Sequence, residues 1–538
     1  MKHNSCFHFP VIFLTTLFVL LMQAFNCHAQ FPWSQRISAA NNWPEGEPNI
    51  GLALDTNDNC YVTGFFDNTN NFGGITLSNR SVGGSDIFVA KYSSAGTLQW
   101  VQQAGATTIN YGRAVGVDNN TNVYIAGGYS GQAKFGGTTL AASSGGNFFL
   151  AKYNNAGVVQ WVRQSTGGSS DVSGIGLAVD GAGNSYALVA VDYLGGSAAS
   201  ITFGSKTVNI PADNGSPVMI LVKYDNTGAA QWAQLMGGSD EIFATRVVVD
   251  ASGNVYVRGG FYSTLTIGAT TLTISAGADE NMYVAKFNGS GALTWVQQID
   301  GGSTAEGGVA VDPVGNVFVS GAFTGTLDLG GGILLTNVAG PTAPFGDSFL
   351  IKYNSVGSLQ WAEVAGGTNG AFYWDLALDA QTNIYAAGIW GINAAVVKYN
   401  LSGTLQWNSS ASGPPAAPVS SGVTKCAVDS SGHCYIDGFY QGTATFGSNT
   451  LQPLEAFNFF VSEVTGPVPL SLSAPKTSGS NFAFQVSGPS GSNYVLQVSR
   501  NLLTWNSLVT STIPVSGSVT LTNPISGSNQ GFYRTYLK

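Results

Sequence analysis

Two short phrases alternate along the chain and leave few folds open to it. The first is an apolar run, Lys, an aromatic, a few polar residues, Gly and finally Trp, and it recurs six times. Its copies run from Ala90-Lys91-Tyr92 to Trp100, Ala151-Lys152-Tyr153 to Trp161, and Val222-Lys223-Tyr224 to Trp232. They continue from Ala285-Lys286-Phe287 to Trp295, Ile351-Lys352-Tyr353 to Trp361, and Val397-Lys398-Tyr399 to Trp407. A strand, a turn that needs glycine, and a second strand whose Trp faces the core make this a β-hairpin.

The second phrase recurs seven times: alternating apolar residues, Asp, a few turn residues, and a strand with an aromatic. Its Asp residues are Asp55, Asp118, Asp180, Asp250, Asp312, Asp379 and Asp429. Val249-Asp250-Ala251-Ser252-Gly253-Asn254-Val255-Tyr256 is a clear copy. Asp opens such a turn by accepting hydrogen bonds from amides further on, and Gly supplies the positive φ. Each unit therefore holds two hairpins, a four-stranded antiparallel sheet. Subtracting successive Asp positions gives steps of 63, 62, 70, 62, 67 and 50 residues. Common propeller repeats run to ~40–50 residues, so most units carry an insert. Phe72-Gly73-Gly74, Phe135-Gly136-Gly137 and Phe446-Gly447-Ser448 mark it, and the sixth unit lacks it, because nine residues separate Gly388 from Lys398.

The last unit ends at Phe459-Phe460-Val461 with no Trp strand after it. The missing strand stands at the other end of the chain, where Phe31-Pro32-Trp33-Ser34-Gln35 is similar to Trp100-Val101-Gln102. Trp33 makes seven Trp copies to match seven Asp copies. An N-terminal strand that completes the last sheet closes a ring and leaves only short edges exposed. The expected fold is all-β: a seven-bladed β-propeller over 30–466, closed by its N-terminal strand, followed by a small β-sandwich-like domain over 467–538.

The repeat resembles that of the bacterial secreted seven-bladed β-propeller repeat proteins, which also run through Val-Asp-x-x-Gly-Asn-Val-Tyr and a Lys-Tyr-to-Trp hairpin. That resemblance covers residues 31–466 and implies seven blades and export; it carries no catalytic set to transfer. Behind the Pro-bearing linker Gly466-Pro467-Val468-Pro469, the strands Phe482–Val486, Tyr494–Val498, Val519–Leu521 and Phe532–Arg534 resemble a small C-terminal β-sandwich module of exported bacterial proteins. Adhesive, spacer and export-sorting roles all fit it.

Compartment and partners follow from the ends and the charge. Residues 1–29 read as a secretory signal peptide, with Lys2 and His3, an apolar stretch from Val11 to Leu21, and Cys27-His28-Ala29 before Gln30. Eleven apolar residues are too few to span a bilayer, so a secreted or cell-surface protein without a transmembrane segment is expected. Charged residues make up 9% of the chain against ~25% in ordinary domains, which leaves Ser, Thr, Asn, Gln and Gly to cover the surface. A net charge of -9 with no basic run argues against nucleic acid, whose affinity comes from neutralised phosphates. Cys60, Cys426 and Cys434 remain after cleavage, an odd number that allows one bridge plus a thiol or three buried thiols.

Few residues offer chemistry. Asp55-Thr56-Asn57-Asp58-Asn59 and Asp118 to Asn122 alternate oxygens as calcium loops do, but they lack the bidentate closing Glu, and the turn needs its Asp regardless. The repeated Lys residues read as packed stems at blade edges rather than a pore or carbohydrate-binding lining, and the Trp series as core between blades. Tyr111, Tyr373, Trp374, Trp390 and Tyr440 are unrepeated and so are better binding candidates. A Ser-His-Asp or His-rich metal arrangement would have to use His433, the one histidine outside the signal, which stands where other turns have Asn and so reads as a turn substitution. No catalytic, cofactor-binding or metal-binding residue is assigned. The reading is an exported, non-catalytic binding or scaffold protein, a monomer presenting propeller loops to a glycan, cell-envelope or protein ligand. The alternative is a carbohydrate-active hydrolase or lyase using carboxylates or Tyr in the central funnel.

Overall fold

The computed structural model describes residues 32–40, 50–80, 84–105, 109–141, 143–167, 171–192, 198–212, 216–275, 280–301, 304–305, 307–330, 332–339, 346–366, 370–391, 393–411, 421–453 and 457–466, and in the tail 471–472, 476–478, 481–487, 493–499, 504–512, 518–524 and 532–537. The expected signal peptide and most of the Pro-bearing linker lie outside them. No helix is present among the described residues.

The chain divides into two compact units, Phe31–Thr465 and a second one holding Gly466–Lys538. The larger is a ring of seven antiparallel blades. Blade 1 is built from Gly51–Leu54, Cys60–Phe66, Asp86–Tyr92 and Leu98–Gly105, from the axis outward. The innermost strands of the next five blades are Asn110–Val117, Asp171–Val179, Ile242–Val249, Val309–Val311 (with Thr304–Ala305 ahead of it) and Ala371–Leu378. Blade 7 consists of Ser421–Val428, Cys434–Tyr440, Phe457–Val464 and, outermost, Ser34–Ala40 from the chain's other end. Arg36 stands opposite Phe460 and Ser34 opposite Ser462 in that closing pair. The ring is complete at the axis, where Gly51–Leu54 lies against the inner strands of both blade 2 and blade 7.

Each repeated residue has a repeated task. The Oδ1 of all seven Asp residues accepts the amides two and four residues on, at 2.8–3.1 Å. Its Oδ2 accepts the Asn Nδ2 four residues on, or in blade 7 faces His433 Nδ1 at 2.9 Å. Three of these turns adopt the left-handed conformation without glycine, at Asp58, Thr121 and Thr382.

The buried Tyr of the second strand then donates to the same Oδ2 in blades 1 to 4 and 6. Opposite it sits the repeated Lys, whose ammonium lies 4.6–5.3 Å from the ring centroid in blades 1 to 6, a cation–π arrangement.

The Trp residues expected as core between blades are so only in part: most of them pack against the core clusters, largely from the edge. Trp33 is buried, but Trp100, Trp161, Trp232, Trp295, Trp361 and Trp407 are only half-buried. The wedges between blades are filled instead by Tyr and Phe of the second and third strands, such as Tyr61, Tyr92, Tyr124 and Phe148. Five of the seven indoles donate across the seam: Trp33 Nε1 to Ser94 O, Trp100 to Asn155 O, Trp161 to Asn226 O, Trp232 to Gly289 O and Trp295 to Ser355 O, at 2.9–3.3 Å. The turn glycine packs onto the ring: a Cβ on Gly96, which has φ +75°, would stand 2.4 Å from Trp33. Where these indoles donate, the turn carbonyl at the blade's edge supplies the acceptor that a buried Trp N–H usually finds.

The insert is a two-stranded hairpin between the second and third strands. In blades 2, 3 and 4 it pairs with the outer strand of the preceding blade, as Phe135 does with Ala104 and Phe203 with Ser165. Blade 6 has none, and Trp390 pairs with Asn393 across a tight turn. In the tail, Ser471–Leu472, Lys476–Ser478, Asn481–Ser487 and Ser518–Pro524 form one sheet, and Asn493–Ser499, Asn506–Thr512 and Phe532–Leu537 another. Val486, Tyr494 and Leu496 join them in one apolar cluster, a sandwich-like arrangement.

Replacing Trp33 by Ala removes a buried indole from the closing seam and costs about 3–5 kcal/mol. Replacing Trp100 by Ala removes a half-buried indole and its hydrogen bond to Asn155 O at an ordinary seam and costs about 2 kcal/mol. Urea titration of both variants measures the difference; equal losses would mean that closure carries no special weight.

Candidate functional site

The face that carries the Asp turns is occupied by structure. Its Asp oxygens are filled as described, and its Lys ammonium groups bind the next blade: Lys152 donates to Asn226 O, Lys223 to Gly289 O and Lys286 to Ser355 O, at 3.0–3.3 Å. Those are the carbonyls the Trp indoles also use. Blade 7 has no turn between its outer strands, because the fourth strand arrives from the chain's other end. Lys398 in blade 6 consequently pairs with its own Asp379 at 3.1 Å. Burial alone would raise the Asp379 carboxyl; the Asn383 hydrogen bonds and Lys398 outweigh it and hold it below the usual carboxylate range. Where blades 1 to 6 have Lys, blade 7 has Glu463, and His433 Nδ1 stands 3.7 Å from it and 2.9 Å from Asp429. Burial pushes the Glu463 carboxyl up, against the opposing His433.

These turns leave no calcium cradle, and the described residues contain no group of three or more His, Cys, Asp or Glu able to hold a metal ion. Cys60, Cys426 and Cys434 are three free, buried thiols, and burial pushes those of Cys60 and Cys426 well up. Three of the unrepeated aromatics are core residues: Tyr373 and Tyr440 are fully buried and Trp374 is 7% exposed. Tyr111 and Trp390 are half-buried.

The chain breaks its own symmetry at the ring axis. Four residues before the repeat Asp, on the innermost strands, stand Gly51, Ala114, Gly176, Arg246, Gly308, Asp375 and Lys425. Three blades thus replace a small residue with a charged one. Two residues after the second-strand aromatic stand Thr63, Ala126, Leu188, Arg258, Ser320, Ala387 and Asp437, again with charge in blades 4 and 7. The two sets meet. Arg246 Nε pairs with Asp375 Oδ1 at 3.1 Å, from blade 4 to blade 6, and Arg246 Nη2 donates to Thr424 O of blade 7 at 3.0 Å. Asp375 Oδ2 accepts the Cys426 amide at 3.0 Å. Asp437 Oδ1 accepts Thr424 Oγ1 at 2.6 Å, and Asp437 stands opposite Lys425 in the strand register. Blade 5 lets this happen with glycine: a Cβ on Gly308 would lie 2.5 Å from the Leu376 amide.

The same strands carry bulges. Register shifts flank Arg113, Thr245, Trp374 and Thr424, and such bulges re-aim side chains locally. Burial and the Arg246 guanidinium push the Lys425 ammonium down, while burial pushes the Asp437 carboxyl up, because each loses water. Lys425 is half-buried and Asp437 fully buried. The site can therefore hold polar groups in a low-dielectric setting, with both donors and an acceptor at the axis. Reading for repeated or catalytic residue types missed all five charged residues, Arg246, Asp375, Lys425, Arg258 and Asp437. The signal was there, as charge at positions where the other blades hold Gly, Ala, Thr, Ser or Leu.

No protein-family model matches the chain. It is 26% identical over 409 residues, 63% of its length, to an uncharacterized WD repeat-containing protein of Acanthamoeba polyphaga mimivirus, and covers 29% of that relative. WD repeats build propeller blades, in keeping with the ring; the chain spans under a third of that relative's length. Among solved structures it is similar to a protein of unknown function from Dyadobacter fermentans (9% identity, 81% of this chain and 99% of that one, TM-score 0.36). A prolyl endopeptidase matches at 9% identity over 82% of this chain and 55% of its own, with a TM-score of 0.38. The seven-bladed assignment rests on the strand topology itself.

Two stability measurements test the charge assignments. Replacing Asp379 by Asn turns an amide against Asn383, Tyr385 and Lys398, at a cost of about 2 kcal/mol at neutral pH. Because the folded state holds this carboxyl low, its contribution is present above the unfolded value of about 3.9 and is lost as pH falls. The gap between parent and variant therefore narrows below about pH 4 in urea titrations, and a pH-independent gap would refute the role of the charge. At the axis, Arg246→Met alone costs about 3 kcal/mol by leaving the Asp375 carboxylate, 3.1 Å from the guanidinium, without its partner, while Arg246→Met with Asp375→Asn comes within about 1 kcal/mol of the parent or exceeds it.

Proposed function

We propose that this is an exported, non-catalytic binding protein that recognises its ligand at the ring axis and at the mouth opposite the Asp turns. The single observation that carries this reading is the contrast between the two faces. On the turn face, repeated residues are spent on holding blades together. Toward the axis, the blades differ from one another in charge and aromatic character, and symmetry requires none of those differences. Recognition residues are those a scaffold does not need.

Export is supported by the signal-like residues 1–29 and by a surface of neutral polar side chains. Among the described residues, no helix is long and apolar enough to cross a membrane. A hydrolase or lyase is supported less well. Asp375 is committed to Arg246 and the Cys426 amide, and Asp437 is fully buried. The directly opposed Asp171 and Asp192 are both exposed, without the dry cleft that tunes a catalytic pair.

The purified full chain is tested against immobilised bacterial and plant glycans and envelope extracts, with product analysis in parallel. Stable binding by a monomer without turnover is expected. Turnover without stable binding would overturn the reading.

A further inference from the structure

The seam that closes the ring lacks the Lys of the others. That Lys stands in blades 1 to 6, and blade 7 holds Glu463 in its place. Elsewhere the ammonium faces the repeated Asp, as Lys91 does Asp55 at 3.6 Å and Lys398 does Asp379 at 3.1 Å. Here two buried carboxyls, Asp429 and Glu463, share one imidazole. His433 Nδ1 stands 2.9 Å from Asp429 Oδ2 and 3.7 Å from Glu463 Oε1.

The groups around this cluster add negative charge or none. Asp58, from the blade 1 turn, is pushed up by burial, Asp429 and Asp55, against His433. Tyr435 and Cys60 are pushed up by burial first and then by carboxyls, so both stay neutral. Arg36 of the closing strand acts on Tyr440. On the blade 6 side, Tyr385 donates to Gly432 O at 2.8 Å, and Lys398 is held by Asp379. The cluster is also joined to the closing strand. The Glu463 amide donates to Trp33 O at 3.2 Å, Ser462 Oγ donates to the same carbonyl at 2.9 Å, and the Trp33 ring lies 6.1 Å from that of Tyr435.

Carboxylates that share a site resist ionising together. A proton on His433 supplies the missing cation; a proton on Glu463 removes a charge and adds a donor. Burial already pushes Glu463 up, as Asp429 does, against His433. A carboxyl held up in the folded state binds its proton more firmly there than in the unfolded chain. Its contribution is therefore full below the unfolded Glu value of about 4.3 and is lost as pH rises through the folded one. The imidazole extends the window, since histidine changes charge between roughly pH 5 and 8. Its side chain is 44% exposed, which opens the cluster to water. Asp379, held low in blade 6, has the opposite sign.

We propose that the closing seam is a pH-sensitive latch, in which a proton held among His433, Glu463 and Asp429 tightens the grip on the N-terminal strand Ser34–Ala40 and its loss loosens it. This goes beyond the binding reading and does not depend on it.

Hydrogen exchange of the full chain, followed by mass spectrometry between about pH 5.5 and 8 and corrected for the intrinsic rate, reads the latch. Protection of Ser34–Ala40 is expected to fall about fivefold or more across that range, relative to Val255–Phe261 in blade 4. In Glu463→Gln the fall shrinks to about twofold or less, and protection at the alkaline end exceeds the parent's. Constant or rising protection in the parent would overturn the proposal, and so would a fall of the same size in Glu463→Gln. The parent's trend alone decides the matter if the variant does not fold.

Discussion

A single backbone carbonyl in each outer turn does much of the work of holding blades in a ring. At three successive seams it accepts a Trp indole and a Lys ammonium from the preceding blade. A carbonyl has two lone pairs, so both donors can be served at once. The arrangement needs a turn at a fixed height, which explains why Gly recurs there, and an aromatic under the Lys, which explains the Tyr. The repeat is thus a set of mutually dependent requirements, and its residues follow from one contact.

The departures near the closure follow from the same contact. Blade 7 borrows its outer strand from the other end of the chain and has no turn to offer. Lys398 therefore turns back to Asp379, and in blade 7 itself the Lys position holds Glu463 near His433. A Lys-to-Glu exchange would have set two carboxylates side by side; a histidine in place of the usual Asn sits between them. Charge reversal and the change of turn residue are two parts of one local solution.

Most of the ring was legible in the sequence because it rests on local rules. Asp and Gly spacing gave the hairpins, the count of Asp against Trp gave seven blades, and the stray Trp33 gave the closure. The Trp side chains are only partly the core that a large aromatic in a strand suggests, since five of them also donate their N–H to a turn carbonyl at the blade's edge. Tyr373, Trp374 and Tyr440 stood out as unrepeated, yet their burial depends on neighbours far away in sequence. The axial charges were harder still. Arg246 and Asp375 lie 129 residues apart, and only the alignment of blades reveals that each replaces a small residue.

The closing pair has a consequence for how the molecule comes to be. Ser34 and Ser462 face each other across 428 residues of chain, so nearly all of the ring lies between the two strands that seal it. Contacts that distant form late, after the loop between them has been ordered. Until then the outer edge of Phe457–Val464 stays open, as does the strand meant for it. Such edges invite pairing with other chains. The last step of folding is thus also the step most exposed to a wrong partner, and a second molecule at the same stage carries the very strand each one lacks.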